Sequence, residues 1–150
     1  MIPVKNKDEE TIGWITRRLQ ATPKYLFSKG FAKSKCLFGI NKVTNADTLY
    51  IVEGALDCMW LTQHGYASVA ILGAIMSKKQ IELLSTLNPN EIVLALDNDE
   101  AGRNGIKKAT VDINNRFLIS YLHIPKNYKD LQEIDNVNTL HKVMNRKVLL

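Results

Sequence analysis

Glu53, Asp97 and Asp99 are the residues of this 150-residue chain whose types and spacing point most directly to chemistry. Asp97 and Asp99 close the stretch EIVLALDND, in which five apolar residues, Ile92 to Leu96, run into two carboxylates separated by one Asn. Two carboxylates about 4 Å apart repel by on the order of 4 kcal/mol at an effective dielectric of about 20, so a cluster of them implies a bound cation. Residues two apart in extended backbone point to the same side, which lets Asp97 and Asp99 address one ligand. Glu53, at the end of a second apolar run, makes the set three carboxylates and all oxygen. Hard divalent cations, Mg²⁺ or Mn²⁺, suit such donors, and the chemistry they serve is phosphoryl or nucleotidyl transfer. Each acid also has a plainer use: Asp99 is a candidate helix N-cap, and a D-x-D pair at a strand end is also a turn former.

Placing these acids together requires a particular order of elements. TLYIVE (48–53) is rich in β-formers, and ALDCMWLTQHG (55–65) sets Leu56, Met59, Trp60 and Gln63 at helical spacing before a Gly. ASVAILG (67–73) is a second strand, and SKKQIELLSTL (77–87) opens on a capping Ser with Ile81, Leu84 and Leu87 on one face. EIVLALD (91–97) is the third strand, and EAGRNGIKKATVDI (100–113) the next helix, weakened by Gly102 and Gly105. RFLISYLHI (116–124) is a fourth strand stopped by Pro125, with short helices over 130–146. This βαβαβαβ order, with strands that lack polar alternation, predicts an α/β fold, a small parallel Rossmann-like sheet of about four strands with helices on both faces. Ligands in such sheets bind at the carboxyl ends of the strands, which is where Glu53 and Asp97 fall.

The bulk numbers separate two regions. Residues 1–45 hold nine Lys or Arg against three acids, whereas 46–150 hold eleven against twelve. All the excess positive charge is N-terminal, in a basic arm or subdomain that carries a strand-like TIGWITRRL and an irregular, aromatic-bearing TPKYLFSKGFAKSKCLFGI. A basic segment beside a near-neutral domain points to a polyanionic partner, although a solvated basic surface has the same composition. Cys36 and Cys58 lack metal-ligand or disulfide spacing and read as reduced core thiols. No apolar run approaches the roughly 18 residues that span a bilayer, and the N-terminus lacks the pattern of a secretory signal, so the chain reads as cytoplasmic.

The stretch YIVEGALDCMWLTQHGYASVAILGAIMSKKQIELL, followed by IVLALDNDEAGRNG, resembles the Toprim domain of DnaG-type bacterial and phage primases, a domain shared with topoisomerases and some nucleases. The family's pattern is V-E-G-x-x-D, then V-A-x-x-G, then D-x-D-x-A-G. On that resemblance Glu53, Asp57, Asp97 and Asp99 take its acidic positions, with Gly54, Gly73 and Gly102 on its glycines. Upstream, IGWITRRL, TPKYLFSKG and CLFGINKV resemble the primase segment that precedes Toprim, so the likeness spans about residues 11 to 135. It implies that 1–45 is the remnant of the primase N-terminal catalytic subdomain and 46–150 the Toprim domain. A family element like K-D-P-D-E matches KDLQE, placing Asp130 and Glu133 on its acids but Gln132 where the second Asp belongs.

The resemblance implies metal-dependent synthesis of RNA primers on single-stranded DNA. Glu53, Asp97 and Asp99 would be catalytic metal holders, with Asp57 and Asp130 as further metal-site acids. Arg17 or Arg18, with Lys24 and Lys29, would bind template or NTP, and a replicative helicase is the expected partner; Arg103 suits a phosphate or a pairing with Glu100, and Tyr25 and Phe27 suit stacking on bases or simply anchoring the arm. A zinc ribbon, a full N-terminal lobe and a helicase domain are missing, so both an excised fragment and a compact stand-alone relative fit. A Toprim-type nuclease using the same acids and a non-catalytic nucleic-acid-binding fragment are the alternatives. Haloacid-dehalogenase-like and receiver-like sites fit less well, because both place acids after the first strand.

Overall fold

The strand expected in TIGWITRRL forms and belongs to a small sheet, which also takes three residues of the stretch expected to be irregular. In this computed structural model, which describes residues 1–113 and 116–150, β1 (Ile2–Lys5), β2 (Thr11–Arg17) and β3 (Tyr25–Phe27) pair antiparallel in that order. The Asn6 side chain closes the β1–β2 turn by accepting from the backbone N–H groups of Asp8 and Glu10. Alternation gives the sheet two faces. Val4 and Ile15 point inward and are buried, while Ile12, Trp14 and Leu26 point outward and are exposed. Two single 3-10 turns, Lys33–Lys35 and Ile40–Lys42, then lead into the main sheet.

The four strands read from the sequence are the four parallel strands of a five-stranded sheet. These are β4 (Thr48–Val52), β5 (Ser68–Ala70), β6 (Glu91–Leu94) and β7 (Leu118–Leu122), in the order β5, β4, β6, β7. A fifth strand, β8 (Lys147–Leu149), adds antiparallel to the edge of β7. Three exposed residues gave β8 no burial pattern to read. It is held instead by its pairing to β7 and by an ion pair between Lys147 and Glu91, a buried carboxylate that Ser120 and Thr48 also hydrogen-bond.

The helices divide between the two faces of this sheet. α1 (Ala55–Gln63) and α4 (Val137–Met144) lie on one face, where Tyr50, Val52, Val93 and Leu122 meet Cys58, Leu61, Leu140 and Val143. Val4 and Ile15 of the small sheet join that same core. α2 (Lys78–Ser85) and α3 (Glu100–Ile113) cover the other face, where Ile51, Ile92, Leu94 and Ile119 meet Ile81, Leu84, Ala109 and Ile113. Strands buried on both sides carry no polar alternation, as the sequence showed.

The phase of α1 differs from expectation. Its buried face is Ala55, Asp57, Cys58 and Leu61, whereas Met59 is 47% exposed and Gln63 is exposed. The helix is apolar on most of its circumference, so spacing alone does not choose the inward side, and the choice made carries Asp57 inward. In α3 the glycines that weaken helix propensity are the packing face, since Gly102, Gly105, Ala109 and Ile113 are its buried residues. Among the described residues no helix is long and apolar enough to cross a membrane.

Candidate functional site

The order β5, β4, β6, β7 reverses direction between β4 and β6, because the chain leaves β4 toward one edge and returns to build toward the other. Such a switch point opens a crevice at the strand carboxyl ends. Glu53 follows β4 directly and Asp97 stands three residues beyond β6, so the two acids sit side by side there. The Asp97 N–H donates to Glu53 Oε1 at 3.2 Å, which fixes one carboxylate against the backbone of the other.

The turn after Asp97 is set by close approach. A Cβ on Gly102 would overlap the Asp97 carbonyl oxygen, so only glycine lets α3 begin against this loop. Asp99 Oδ1 accepts from the Gly102 N–H at 2.9 Å, so Asp99 does cap α3, and its second oxygen is left for other use. Asn98 between the acids ties down the neighbouring loop: its N–H donates to the Lys129 carbonyl at 2.8 Å and its Nδ2 to the Tyr128 carbonyl at 3.3 Å.

Asp57 lies on the first turn of α1, 8% exposed, and its Oδ1 accepts from the Gln132 N–H at 3.2 Å. The segment KDLQE folds as a 3-10 turn over Leu131–Glu133, capped by Asp130 Oδ1 accepting from the Glu133 N–H at 3.1 Å. At the position where the family places a second Asp, the chain offers Asp57 a backbone donor.

Glu53, Asp57 and Asp97 are raised in pKa, first by burial and then by the negative charge of their neighbours. Burial, reinforced by Asp97, pushes Glu53 up to about 7. Burial, reinforced by Asp130, pushes Asp57 up to about 7. Asp97 is raised by burial and by Asp130, with the Lys129 ammonium at 3.8 Å from its Oδ2 pulling the other way. Among the described residues no three Asp, Glu, His or Cys side chains stand grouped to hold a metal ion. The donors nevertheless fit a hard divalent cation: they are oxygens, they come from adjacent strand ends, and a positive charge would offset both the burial and the repulsion that raise them.

Opposite the acids, across a cleft of about 410 Å³, stands the inner face of the small sheet. Arg17 at the end of β2, Lys24 just before β3, and Tyr25 and Phe27 of β3 line it. Three other expected cations lie elsewhere. The Arg18 guanidinium folds back to donate to the Pro23 carbonyl, Lys29 sits in an exposed turn, and Arg103 is on the solvent side of α3; none of the three lines the cleft. Two cations that sequence reasoning did not single out do line it, Lys33 and Lys129. Lys33 Nζ stands 5.5 Å from the Phe27 ring centroid, at the range of a cation–π contact, and beside Gly73. Nothing in the run AKSK distinguishes Lys33 from Lys35 except the turn that aims them, and Lys129 was passed over for the acid beside it.

A family model described as Toprim-like matches residues 50–135. A DNA primase of Mycoplasma genitalium is 29% identical over 143 residues, which is 89% of this chain and 24% of that protein. Among solved structures, the zinc-binding and RNA polymerase domains of the Aquifex aeolicus primase superpose with a TM-score of 0.83 at 27% identity, over 99% of this chain and 40% of that one. A DnaG primase catalytic domain bound to ssDNA superposes with a TM-score of 0.80 at 25% identity, over 98% of this chain and 51% of that one. The chain therefore spans about a quarter of the curated relative's length and about half or less of these solved ones. With the acids at the switch point, the glycine-tight D-x-D turn and a family match over more than half its length, the chain belongs to the Toprim-like family and is a homologue of the DnaG-type primases.

Proposed function

We propose that this chain carries the nucleotidyl-transfer centre of a DNA primase, joining NTPs into RNA primers on a single-stranded DNA template. The observation that carries this reading is the facing of carboxylates and cations across one cleft: Glu53 and Asp97 on one wall, Arg17, Lys24 and Lys33 on the other. Residues 1–45 are, in this reading, the remnant of the primase N-terminal subdomain, and 46–150 the Toprim domain. The cytoplasm of a bacterial or phage-infected cell is the proposed place of action, with a replicative helicase as partner.

Toprim domains generally bind divalent metal, and Mg²⁺ or Mn²⁺ is the cation we assign here. Glu53, Asp97 and the free oxygen of Asp99 would hold it, with Asp57 and Asp130 adding negative charge beneath and beside them. When bound, the metal supplies neutralisation of the triphosphate and activation of the primer 3′-hydroxyl. The chain's own cations do the rest of the positioning. Lys129, beside Asp97, and Lys33 would take triphosphate oxygens, while Arg17 and Lys24 would hold the template backbone. Tyr25, lining the same wall, offers a ring for a base. The cleft volume, about 410 Å³, falls within the range of small-molecule sites.

The test is NTP incorporation on single-stranded DNA with Mg²⁺ or Mn²⁺, run beside a nuclease assay on the same substrate. The wild-type chain is expected to incorporate, and Asp97→Asn or Asp99→Asn to lose incorporation by about a hundredfold or more with the fold intact. Full incorporation by Asp97→Asn would show the site assignment to be wrong. Strand cleavage without incorporation would favour a Toprim phosphodiesterase, and DNA binding with neither would favour a non-catalytic module.

A further inference from the structure

Gln80 is a buried polar side chain, 1% exposed, on the opposite face of the sheet from Asp57. It closes a capping box at the start of α2: Ser77 Oγ accepts from the Gln80 N–H at 3.1 Å and Gln80 Oε1 accepts from the Ser77 N–H at 2.9 Å. That duty needs only a side-chain oxygen, and Glu serves it as well. What Glu lacks is the amide nitrogen. Gln80 Nε2 donates toward the carbonyls of Lys33 at 3.2 Å, Cys36 at 2.9 Å and Ile71 at 2.8 Å. Ser77 Oγ in turn donates to the Ser34 carbonyl. The start of α2 thus grips the 3-10 turn Lys33–Lys35 by three of its carbonyls, counting Cys36 at the turn's end.

That turn buries none of its own side chains. No hydrophobic anchor within it fixes where Lys33 points. The third acceptor, Ile71, leads through Leu72 to Gly73 on the cleft wall, so one amide joins the turn that carries Lys33 to the strand end that Lys33 faces.

We propose that Gln80 is a positioning residue: acting through the carbonyls of Lys33, Cys36 and Ile71, it holds the Lys33 ammonium at the triphosphate end of the cleft. This rests on the reading of the cleft as a nucleotide site. Gln80 touches no nucleotide itself. An amide is required there because a carboxylate would set oxygen against three carbonyl oxygens.

The test uses the full chain and two readouts. Gln80→Met removes the donors and Gln80→Glu keeps the capping acceptor alone; each is made in the wild-type and Lys33→Ala backgrounds. The first readout is the NMR shift of the Lys33 ε-methylene, which the Phe27 ring displaces upfield relative to exposed Lys35. The second is the affinity for ATP with Mg²⁺ by calorimetry. Loss of the Lys33 displacement in both variants, with affinity falling about fivefold in the wild-type background and unchanged in the Lys33→Ala background, is the expected result. A Lys33 displacement that persists without the amide overturns the proposal. So does an equal loss of affinity in both backgrounds, since Gln80 would then act without Lys33. If the displacement is lost but the wild-type chain binds no ATP, positioning stands and the nucleotide reading falls. Should both Gln80 variants fail to fold, Gln80→Asn, whose amide is one methylene too short for these carbonyls, is read by the same two measurements and the same outcomes.

Discussion

Asp57 is the residue whose ionisation weighs most directly on the fold. It is almost fully buried, and its pKa near 7 lies well above the ordinary carboxylate range. Between those two values the native chain holds a proton that the unfolded chain has released. Its contribution to stability is therefore fully present at pH values below the ordinary range and is lost as the pH rises through 7. Asp57→Asn keeps an oxygen for the Gln132 N–H and removes the charge. In chelator at pH 8 this variant is expected to be more stable than wild type by about 2 kcal/mol, and at pH 4 to differ little, as measured by denaturant unfolding. Added Mg²⁺ should narrow the gap at pH 8 by stabilising the wild-type chain more. The acids were legible in the sequence because a carboxylate that ends an apolar run is costly to desolvate unless a cation meets it there. The cations were less so: Arg17 and Lys24 line the cleft, but Arg18, one residue on, donates to a carbonyl instead, and the strand's two-residue period decides between them.

At the scale of elements, α3 determines where the D-x-D turn points. Gly102 lies against the Asp97 carbonyl and Gly105 against the Ala74 carbonyl, so the helix approaches the sheet more closely than any residue with a Cβ allows. Gly102→Ala meets backbone rather than a movable side chain. It is expected to cost about 3 kcal/mol or more, or to displace the start of α3 and with it Asp97 and Asp99. Thermal unfolding, with NTP incorporation measured on the folded fraction, separates the two outcomes. The four parallel strands and α3 were legible because their apolar runs and stop signals are strong. The phase of α1 was not, because a helix apolar on most sides gives periodicity nothing to report. β1, β3 and β8 were not, because strands of three or four residues are too short to show an alternation and are held by pairing to other segments.

Across the whole molecule, charge is divided between the two sheets. The small sheet and the turns beside it bring Arg17, Lys24 and Lys33 to the cleft, and the large sheet brings the acids with Lys129 beside them. Binding of single-stranded DNA is expected to weaken steeply with salt, with a logarithmic slope that falls by about 0.7 for each phosphate contact removed. Lys24→Glu, on the cleft wall, should lower both affinity and slope. Lys29→Glu, in the exposed turn, should change each less. Fluorescence anisotropy over a range of salt concentrations measures both, and equal effects of the two substitutions would place the DNA outside the cleft. The division of charge is not a division of the core. Leu37, Ile40 and Val43 precede the acidic strands in sequence yet lie in the core under the large sheet, and Phe38 pairs with Ala70 at its edge. Recombination that discarded the basic segment would therefore strip buried side chains from beneath the acids as well. Selection for a folded chain is enough, with no demand on catalysis, to keep cations and carboxylates inherited as one unit.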